Sequence, residues 1–434
     1  MADSSDSTRA PDVHINLNIR GMKPSATVSI NEHSNQLKAE GRNIYKLGLG
    51  QSPFPVPDVV VDELKANAYQ KDYLPVKGLK QLREAVADYH RRGEGLACTG
   101  DDVLIGPGSK ELMFLLQLVY YGDLVIPAPA WVSYAPQAKI IGRNVNFLPT
   151  DAEHDWMLTA EVLDEHCSED EGRPRVVILN YPSNPTGRTY TTDELEAIAK
   201  VAKKHKLVIL SDEIYGELHH EGAHVSIARF YPKGTIISAG LSKWCGAGGW
   251  RLGTFTFPHE LRWLLNAMAS VASETYTSTS APIQYAAVRA FRGGAELERY
   301  LWRSRKVLKA LGNWIANRLN DAAIRTLEPQ GGFYLFPDFT PFAELLHDRG
   351  IKTSAQLCNR LLEDTGVAIL PGSEFGRPKE ELTARLAYVD FDGARALAIL
   401  ESHGEAFQID DDFLFTHCPN VVNAIDAICD WVKA

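Results

Sequence analysis

The chain lacks a hydrophobic run that could cross a membrane, and it lacks paired cysteines. No apolar stretch reaches the roughly 18 residues that a spanning helix needs, so no membrane partner is expected. Six cysteines are scattered singly along 434 residues. This spacing predicts neither a disulfide framework nor a zinc site, and we expect free thiols in a reducing cytoplasm.

An excess of basic charge is also missing. The formal net charge is −10 at pH 7, which argues against a nucleic-acid partner. The first residues are polar and acidic rather than apolar, so no secretory leader is predicted. The acidic run at residues 410–412 is interpreted as a solvated loop rather than a metal site, and no metal is expected.

The length of the chain and its 45% hydrophobic content predict a large core divided into two domains. Residues 1–20 are interpreted as a flexible tail. Residues 49–295 are predicted to form the large domain, and residues 21–48 to join residues 296–434 in a smaller one. A long helical pattern at 295–320 is expected to connect the two domains.

Short apolar runs alternate with helical patterns through the large domain. The runs are rich in β-branched residues, which is typical of strands buried on both faces. They lie at residues 103–105, 124–126, 176–179, 207–210 and 235–237, with helices predicted at 79–90, 111–121 and 191–205. This alternation predicts an open, mostly parallel α/β sheet, in which ligands bind at the carboxyl ends of the strands.

A glycine-rich stretch at residues 238–253 follows the last of these runs and contains Lys243 and Arg251. A neutral lysine amine can condense with an aldehyde to form an imine. An arginine can clamp a phosphate through two parallel hydrogen bonds. The alternative is an ordinary surface lysine in a flexible loop, which the stretch alone does not exclude.

Two further strand ends carry candidate ligand-binding groups. Gly108, Ser109 and Lys110 open a helix, where free backbone N–H groups and the helix dipole favour a phosphate. Trp131 follows the next run and can stack on an aromatic ligand. The alternatives are a plain strand–helix turn and a core tryptophan.

The remaining two strand ends carry Asn184, Asp212 and Tyr215. Asn184 lies in a Pro- and Gly-rich turn and can donate to a carboxylate or an oxyanion, or it can simply belong to an Asn-Pro turn. A carboxylate at residue 212 can keep a ring nitrogen protonated, because an opposite charge favours the charged form. Its alternative role is a helix N-cap.

Together these groups match what pyridoxal 5′-phosphate requires of a protein: an amine for its aldehyde, a cradle for its phosphate, and partners for its ring nitrogen and hydroxyl. The chain resembles pyridoxal-phosphate aminotransferases of classes I and II, over about residues 22–388. Met22-Lys-Pro-Ser-Ala-Thr-Val resembles the opening of prokaryote-type aspartate aminotransferases in particular, and Leu49-Gly-Gln-Ser-Pro-Phe resembles the family loop that carries the substrate-contacting glycine, here Gly50.

The resemblance implies fold type I, with a mostly parallel seven-stranded sheet in the large domain, a smaller α+β domain, and a homodimer with shared active sites. It also implies a role for each motif residue. The cofactor would be held by Lys243 as Schiff-base lysine, Asp212 and Tyr215 at the ring, Gly108, Ser109, Lys110, Ser242 and Arg251 at the phosphate turn, Trp131, Asn184, and Tyr73 from the other subunit. The substrate would contact Gly50, Trp131, Asn184 and Arg385, with Lys110 and Thr27 near its side chain.

The implied reaction moves an amino group between an L-amino acid and a 2-oxo acid, with ping-pong kinetics. Acidic substrates are favoured, because Lys110, Ser25 and Thr27 stand where prokaryote-type relatives contact the distal carboxylate; a solvent-facing Lys110 is the alternative. Neutral or aromatic substrates, a lyase or decarboxylase reaction, and a non-catalytic regulator remain alternatives. The chain departs from relatives at Gly240, which replaces a phosphate-binding serine, at residues 273–280, which lack an arginine, and at residues 391–419, which have no recognised counterpart.

Overall fold

A seven-stranded sheet is the largest sheet in the computed structural model, which describes residues 14–434. Its order from edge to edge is β2-β8-β7-β6-β5-β3-β4, and β8 alone runs antiparallel to its neighbours. The mostly parallel sheet was predicted from the apolar runs. The strands are β2 (Val103–Gly106), β3 (Asp123–Ala128), β4 (Val145–Pro149), β5 (Arg175–Asn180), β6 (Val208–Asp212), β7 (Thr235–Gly240) and β8 (Gly253–Thr256).

Helices that cover this sheet present one apolar stripe to it, as the helix of residues 109–119 does with Leu112, Leu115 and Leu116. In α7, Thr191 and Glu194 form a capping box, and Leu195 and Ile198 are buried. The α-helices between residues 26 and 292 are α1 (Ala26–Ala39), α2 (Asp58–Ala66), α3 (Lys80–Glu94), α4 (Ser109–Val119), α5 (Tyr134–Ile140), α6 (Ala160–Ser168), α7 (Thr192–Lys204), α8 (Arg262–Glu274) and α9 (Ala281–Arg292).

Two small sheets form in the C-terminal part, and one of them includes the N-terminal segment. Strand β1 (Tyr45–Lys46) pairs in parallel with β10 (Val367–Ala368). Strands β9 (Tyr334–Leu335), β11 (Leu370–Pro371) and β12 (Ala384–Ala387) form an antiparallel sheet. The helices here are α10 (Ala295–Asp321), α11 (Ala343–Asp348), α12 (Ser354–Thr365), α13 (Gly393–His403), α14 (Asp411–His417) and α15 (Pro419–Trp431).

The structure corrects one sequence prediction and adds detail to others. The acidic run at 410–412 is not a loop, because Asp410 caps α14 by accepting a hydrogen bond from the backbone N–H of Phe413 at 2.9 Å. In the predicted tail, residues 17–19 form a short 3-10 turn, while residues 1–13 lie outside the described part of the chain. The segment at 391–419, which resembled nothing, contains α13 and α14.

Candidate active site

A cavity of about 360 Å³ opens at the carboxyl edge of the large sheet. It gathers residues from distant parts of the chain, because β5, β6 and β7 all end at this edge. Most of the residues selected from the sequence line it: Thr27, Gly50, Ser109, Lys110, Trp131, Asn184, Asp212, Tyr215, Ser242, Lys243, Arg251 and Arg385.

Lys243 lies in the loop after β7, and its amine points into the cavity. Its Nζ donates a hydrogen bond to the backbone carbonyl of Gly50 at 2.6 Å. The same atom lies 5.5 Å from the centre of the Tyr215 ring. The amine is therefore held between the two chain segments that the sequence assigned to substrate and cofactor contacts.

Asp212 ends β6 and is buried, with 3% of its surface exposed. Its Oδ2 accepts a hydrogen bond from the hydroxyl of Tyr134 at 2.5 Å, and its Oδ1 accepts one from Ser238 at 3.2 Å. Burial raises the pKa of Asp212 to about 6, although the two hydroxyls act in the opposite direction. Because the carboxyl is short of positive charge, it fits a protonated ring nitrogen placed against it.

Gly108 and Arg251 form the turn that was predicted to hold a phosphate. Gly108 has φ +93°, and a Cβ there would overlap the guanidinium of Arg251. It precedes α4, so the first N–H groups of that helix are free of helical partners. A bare backbone turn beside an arginine at a helix N-terminus has the donor chemistry that a phosphate dianion needs.

Arg385 of β12 is buried, with 1% of its surface exposed. Its Nη1 donates to Oδ1 of Asn184 at 3.1 Å, and its Nη2 donates to the carbonyl of Gly48. Its Nε has no hydrogen-bond partner among residues 14–434. Burial lowers the pKa of this guanidinium. A buried cation with an unused donor fits the carboxylate of a ligand, which would supply the missing charge.

Lys110 and Trp131 lie on one wall of the cavity. The ammonium of Lys110 is 5.0 Å from the centre of the Trp131 ring. Loss of water and the nearby cations Arg251 and Lys243 lower the pKa of Lys110. Thr27, in the first turn of α1, also lines the cavity, and its hydroxyl lies 3.3 Å from that of Ser25.

Tyr73 is not brought to this cavity: 89% of its surface is exposed. Gly108 does not line the cavity itself, and the guanidinium of Arg251 lies against it. Gly240 is the position where relatives have a phosphate-binding serine. A Cβ there would lie 2.7 Å from the carbonyl oxygen of Leu252, so the strand pairing leaves little room for a side chain. Ser242, two positions on, lines the cavity instead.

Sequence reasoning missed several lining residues, above all Tyr134, Asn180 and Tyr334. Tyr134 lies three positions after Trp131, and Asn180 ends β5, so both carried a positional signal. Asn180 supports its surroundings by donating to the carbonyl of Asp212 at 2.9 Å and accepting from the N–H of Asn184 at 2.7 Å. Tyr334 is far from every motif in the sequence and carried no such signal.

The donor set as a whole fits pyridoxal phosphate: an amine, a buried carboxylate, a phenol, and a phosphate turn with an arginine. Within residues 14–434 no group of three or more metal-ligating side chains converges. No helix in that part of the chain is both long and apolar enough to span a membrane.

Comparison with known proteins gives consistent matches over most of the chain. A family model described as aminotransferase class I and II matches residues 42–389. An aspartate aminotransferase of Geobacillus stearothermophilus is 34% identical, covering 89% of this chain and 97% of its own. An aspartate/prephenate aminotransferase of Thermus thermophilus is 30% identical, covering 82% and 90%.

Solved structures show the same architecture. The aspartate aminotransferase of Thermus thermophilus with maleate superposes with a TM-score of 0.82 at 27% identity, covering 96% of this chain and all of that one. The aspartate aminotransferase of Rhizobium meliloti gives a TM-score of 0.81 at 26% identity, covering 97% and 99%. The predicted fold type I is thereby confirmed.

Proposed function

The chain belongs to the class I and II aminotransferases, which depend on pyridoxal phosphate, and from that premise we propose that it transfers the amino group of L-aspartate or L-glutamate to a 2-oxo acid. The choice of an acidic substrate rests on two of the cations that line the cavity. Arg385 is assigned to the α-carboxylate, and Lys110 is a separate cation at the cavity wall. A distal carboxylate needs such a partner to offset its desolvation.

The relatives favour the same substrate class. The Geobacillus stearothermophilus relative is named an aspartate aminotransferase. The Thermus thermophilus structure contains maleate, a dicarboxylate. Thr27 and Ser25 add hydroxyl donors next to the cavity, and such donors suit a carboxylate better than an apolar side chain.

The cofactor, when bound, supplies an aldehyde that carries the amino group and a ring that accepts electrons. The residues of the chain hold it and move protons. Asp212 would face the ring nitrogen and keep it protonated, because its buried carboxylate would gain a cationic partner. Lys243 would hold the cofactor through its amine, and this amine would also serve as the base for the proton on the substrate Cα.

The other residues orient these groups. Arg385 and Asn184, joined by their hydrogen bond, bind the α-carboxylate and fix the substrate. Tyr215 would donate a hydrogen bond to the oxygen on the cofactor ring. Arg251 and the turn at Gly108 would bind the phosphate, with Ser109 and Ser242 as further donors on the cavity wall.

We also propose a cytoplasmic homodimer in which each site is completed by the partner. Its support is Tyr73, which is exposed in the single chain although the family resemblance places it at a phosphate. Mixing the variants Tyr73→Ala and Lys243→Ala, each of which is expected to lose activity on its own, tests this arrangement. Hybrid dimers should regain activity, since one of their two sites is intact, whereas separate sites within each chain would regain none. The cytoplasm is proposed because all six cysteines are free thiols.

A two-domain division is part of the proposal, with residues 49–295 as one unit and residues 21–48 plus 296–434 as the other. The parallel pairing of Tyr45 with Val367 supports it, because this pairing joins the N-terminal segment to the C-terminal part.

The substrate assignment is tested by steady-state rates of the enzyme loaded with pyridoxal phosphate. Aspartate, glutamate, alanine, methionine and phenylalanine serve as donors, and 2-oxoglutarate or oxaloacetate as acceptor. We expect kcat/KM for aspartate or glutamate to exceed that for the neutral donors at least about tenfold, which corresponds to one charge-assisted contact. Faster turnover of alanine or phenylalanine would reject the acidic substrate, and release of CO₂ or ammonia without amino transfer would reject the reaction.

A further inference from the structure

Tyr334, on β9, is a buried phenol that the roles described above leave unused. Only 1% of its surface is exposed, yet it lines the cavity. Its hydroxyl oxygen lies 2.8 Å from the hydroxyl oxygen of Tyr215. The guanidinium of Arg385 lies over its ring, 4.8 Å from the centre. Tyr334 therefore contacts both Tyr215, which is assigned to the cofactor ring, and Arg385, which is assigned to the substrate carboxylate.

The neighbouring backbone is built around this phenol. A Cβ on Gly50 would overlap the hydroxyl and ring of Tyr334, so the phenol keeps its place only because residue 50 is glycine. The carbonyl of Gly50 in turn accepts the hydrogen bond from Lys243. The hydroxyl of Tyr334 is thus confined to a position within reach of Tyr215.

The number of protons then fixes the direction of the hydrogen bond between the two phenols. A phenol has one proton to donate and can also accept. If Tyr215 donates its proton to the oxygen on the cofactor ring, it has none left for Tyr334. The proton between the two phenols must then come from Tyr334.

We propose that Tyr334 is a positioning residue that donates its hydroxyl proton to Tyr215 and so strengthens the hydrogen bond from Tyr215 to the cofactor. This inference rests on the proposed function, through the role assigned to Tyr215. Hydrogen bonds in such a chain polarise one another, so a donor behind Tyr215 makes Tyr215 a better donor in front. The stronger hydrogen bond from Tyr215 would stabilise the ionised ring oxygen of the cofactor.

The test is a pH titration of the cofactor absorbance band in the loaded enzyme without substrate. Tyr334→Phe keeps the ring under Arg385 and removes only the hydroxyl. The ionised ring oxygen then loses part of its stabilisation, so the cofactor keeps its proton to higher pH. We expect the midpoint to rise by about 0.1 to 0.7 pH unit, because the lost donor weakens the hydrogen bond from Tyr215 to a charged oxygen by only about 10–30%.

A double-variant cycle identifies the route of the effect. On a Tyr215→Phe background, Tyr334→Phe should cause no further shift, because the relay is already broken. The matched control is Tyr388→Phe, which removes another buried phenol whose hydroxyl donates to the carbonyl of Gly332 and does not line the cavity. Its midpoint should equal that of the wild type.

The outcomes separate this proposal from the proposed function. If the wild type shows a pH-dependent cofactor band but Tyr334→Phe leaves its midpoint unchanged, the relay is refuted while cofactor binding stands. Equal shifts from Tyr334→Phe with and without Tyr215 also refute the relay, because Tyr334 would then act on the cofactor by another route. A wild type without any cofactor band refutes the proposed function itself.

Discussion

The hydroxyl of Tyr134 lies 2.5 Å from Oδ2 of Asp212, and both side chains are largely buried at the wall of the cavity. This hydrogen bond lowers the pKa of the carboxyl, but burial has the larger effect and leaves that pKa at about 6. The negative charge of the Asp212 carboxylate is therefore only partly compensated until a cation lies next to it. Its ionisation links the stability of the cofactor-free protein to pH.

The first prediction concerns the protein without cofactor. The folded-state pKa of Asp212 lies above its ordinary value of 3.8. Its contribution to stability is therefore complete below about pH 4 and is lost as the pH rises through 6, a loss of about 3 kcal/mol at most. We expect cofactor-free Asp212→Asn to be more stable than the wild type at pH 7.5, with a smaller difference at pH 5, as measured by urea unfolding.

The loaded enzyme provides the control for this prediction. With the cofactor bound, Asp212 has its cation, so the stabilising effect of Asp212→Asn should vanish. Turnover should fall by about 10² or more, because the variant no longer holds the ring proton by charge. Near-normal turnover would mean that another group performs this role, and an unchanged stability of the cofactor-free variant would mean that Asp212 is uncharged there.

The second prediction concerns the attachment of the cofactor to Lys243. Borohydride reduction of the loaded enzyme, followed by digestion and mass spectrometry, should place the added mass on Lys243. Lys243→Ala should remain folded and bind cofactor without attachment, since the variant lacks the amine and loses only side-chain atoms beyond Cβ. Recovery of the label on Lys110, the other lysine of the cavity, would overturn the assignment.

The third prediction concerns Arg385. Lysine keeps the charge but loses the planar fork that matches a carboxylate. Arg385→Lys should raise KM for every amino acid and 2-oxo acid by about 10- to 100-fold, the scale of one lost charge-assisted hydrogen bond. The matched control is Arg377→Lys, at an arginine that pairs with Glu381 and does not line the cavity. An effect on only one substrate would show that Arg385 binds a side chain.

The fourth prediction concerns Lys110. Lys110→Ala should reduce kcat/KM for aspartate and glutamate by about tenfold or more and leave neutral donors within a few-fold, because only the acidic side chain loses a cationic partner. Lys80→Ala removes a lysine from the first turn of α3, outside the cavity, and should change neither class. Equal losses for both classes would place Lys110 at the phosphate instead.

The fifth prediction concerns the phosphate turn. Gly108→Ala forces a side chain onto φ +93° and against Arg251. We expect the Kd for pyridoxal phosphate to rise about tenfold, in line with backbone strain of 1–3 kcal/mol. Fluorescence titration of the cofactor-free protein measures it. Gly93→Ala, where a Cβ meets nothing within 4 Å, is the control. Unchanged affinity would show that the turn does not hold the phosphate.

Much of the fold and most of the cavity could be predicted because the relevant information is local. Buried strands are short apolar runs, and the candidate ligand-binding groups lie at their carboxyl ends or just beyond, as Asp212 lies at the end of β6. The edge of a parallel sheet then gathers such groups without knowledge of their packing.

Groups that depend on packing alone escaped prediction. Tyr334 meets Tyr215 across 119 residues of sequence, close to the bridge between His219 and Gly331, and no local pattern encodes that meeting. The prediction of a loop at the acidic run 410–412 was wrong because the charges indicate only exposure to solvent. The capping role of Asp410 depends instead on the backbone N–H of Phe413, and Asp411 begins α14.

The single reversed strand of the large sheet has a mechanical consequence. Because β8 runs against β7, its beginning lies at the same edge as the end of β7, and the loop between them carries both Lys243 and Arg251. The lysine proposed to attach the cofactor and the arginine proposed to bind its phosphate therefore lie on the same loop between β7 and β8. Lengthening that loop would therefore weaken the contacts of both Lys243 and Arg251 with the cofactor. An insertion in another loop at this edge of the sheet would weaken at most one of the two contacts.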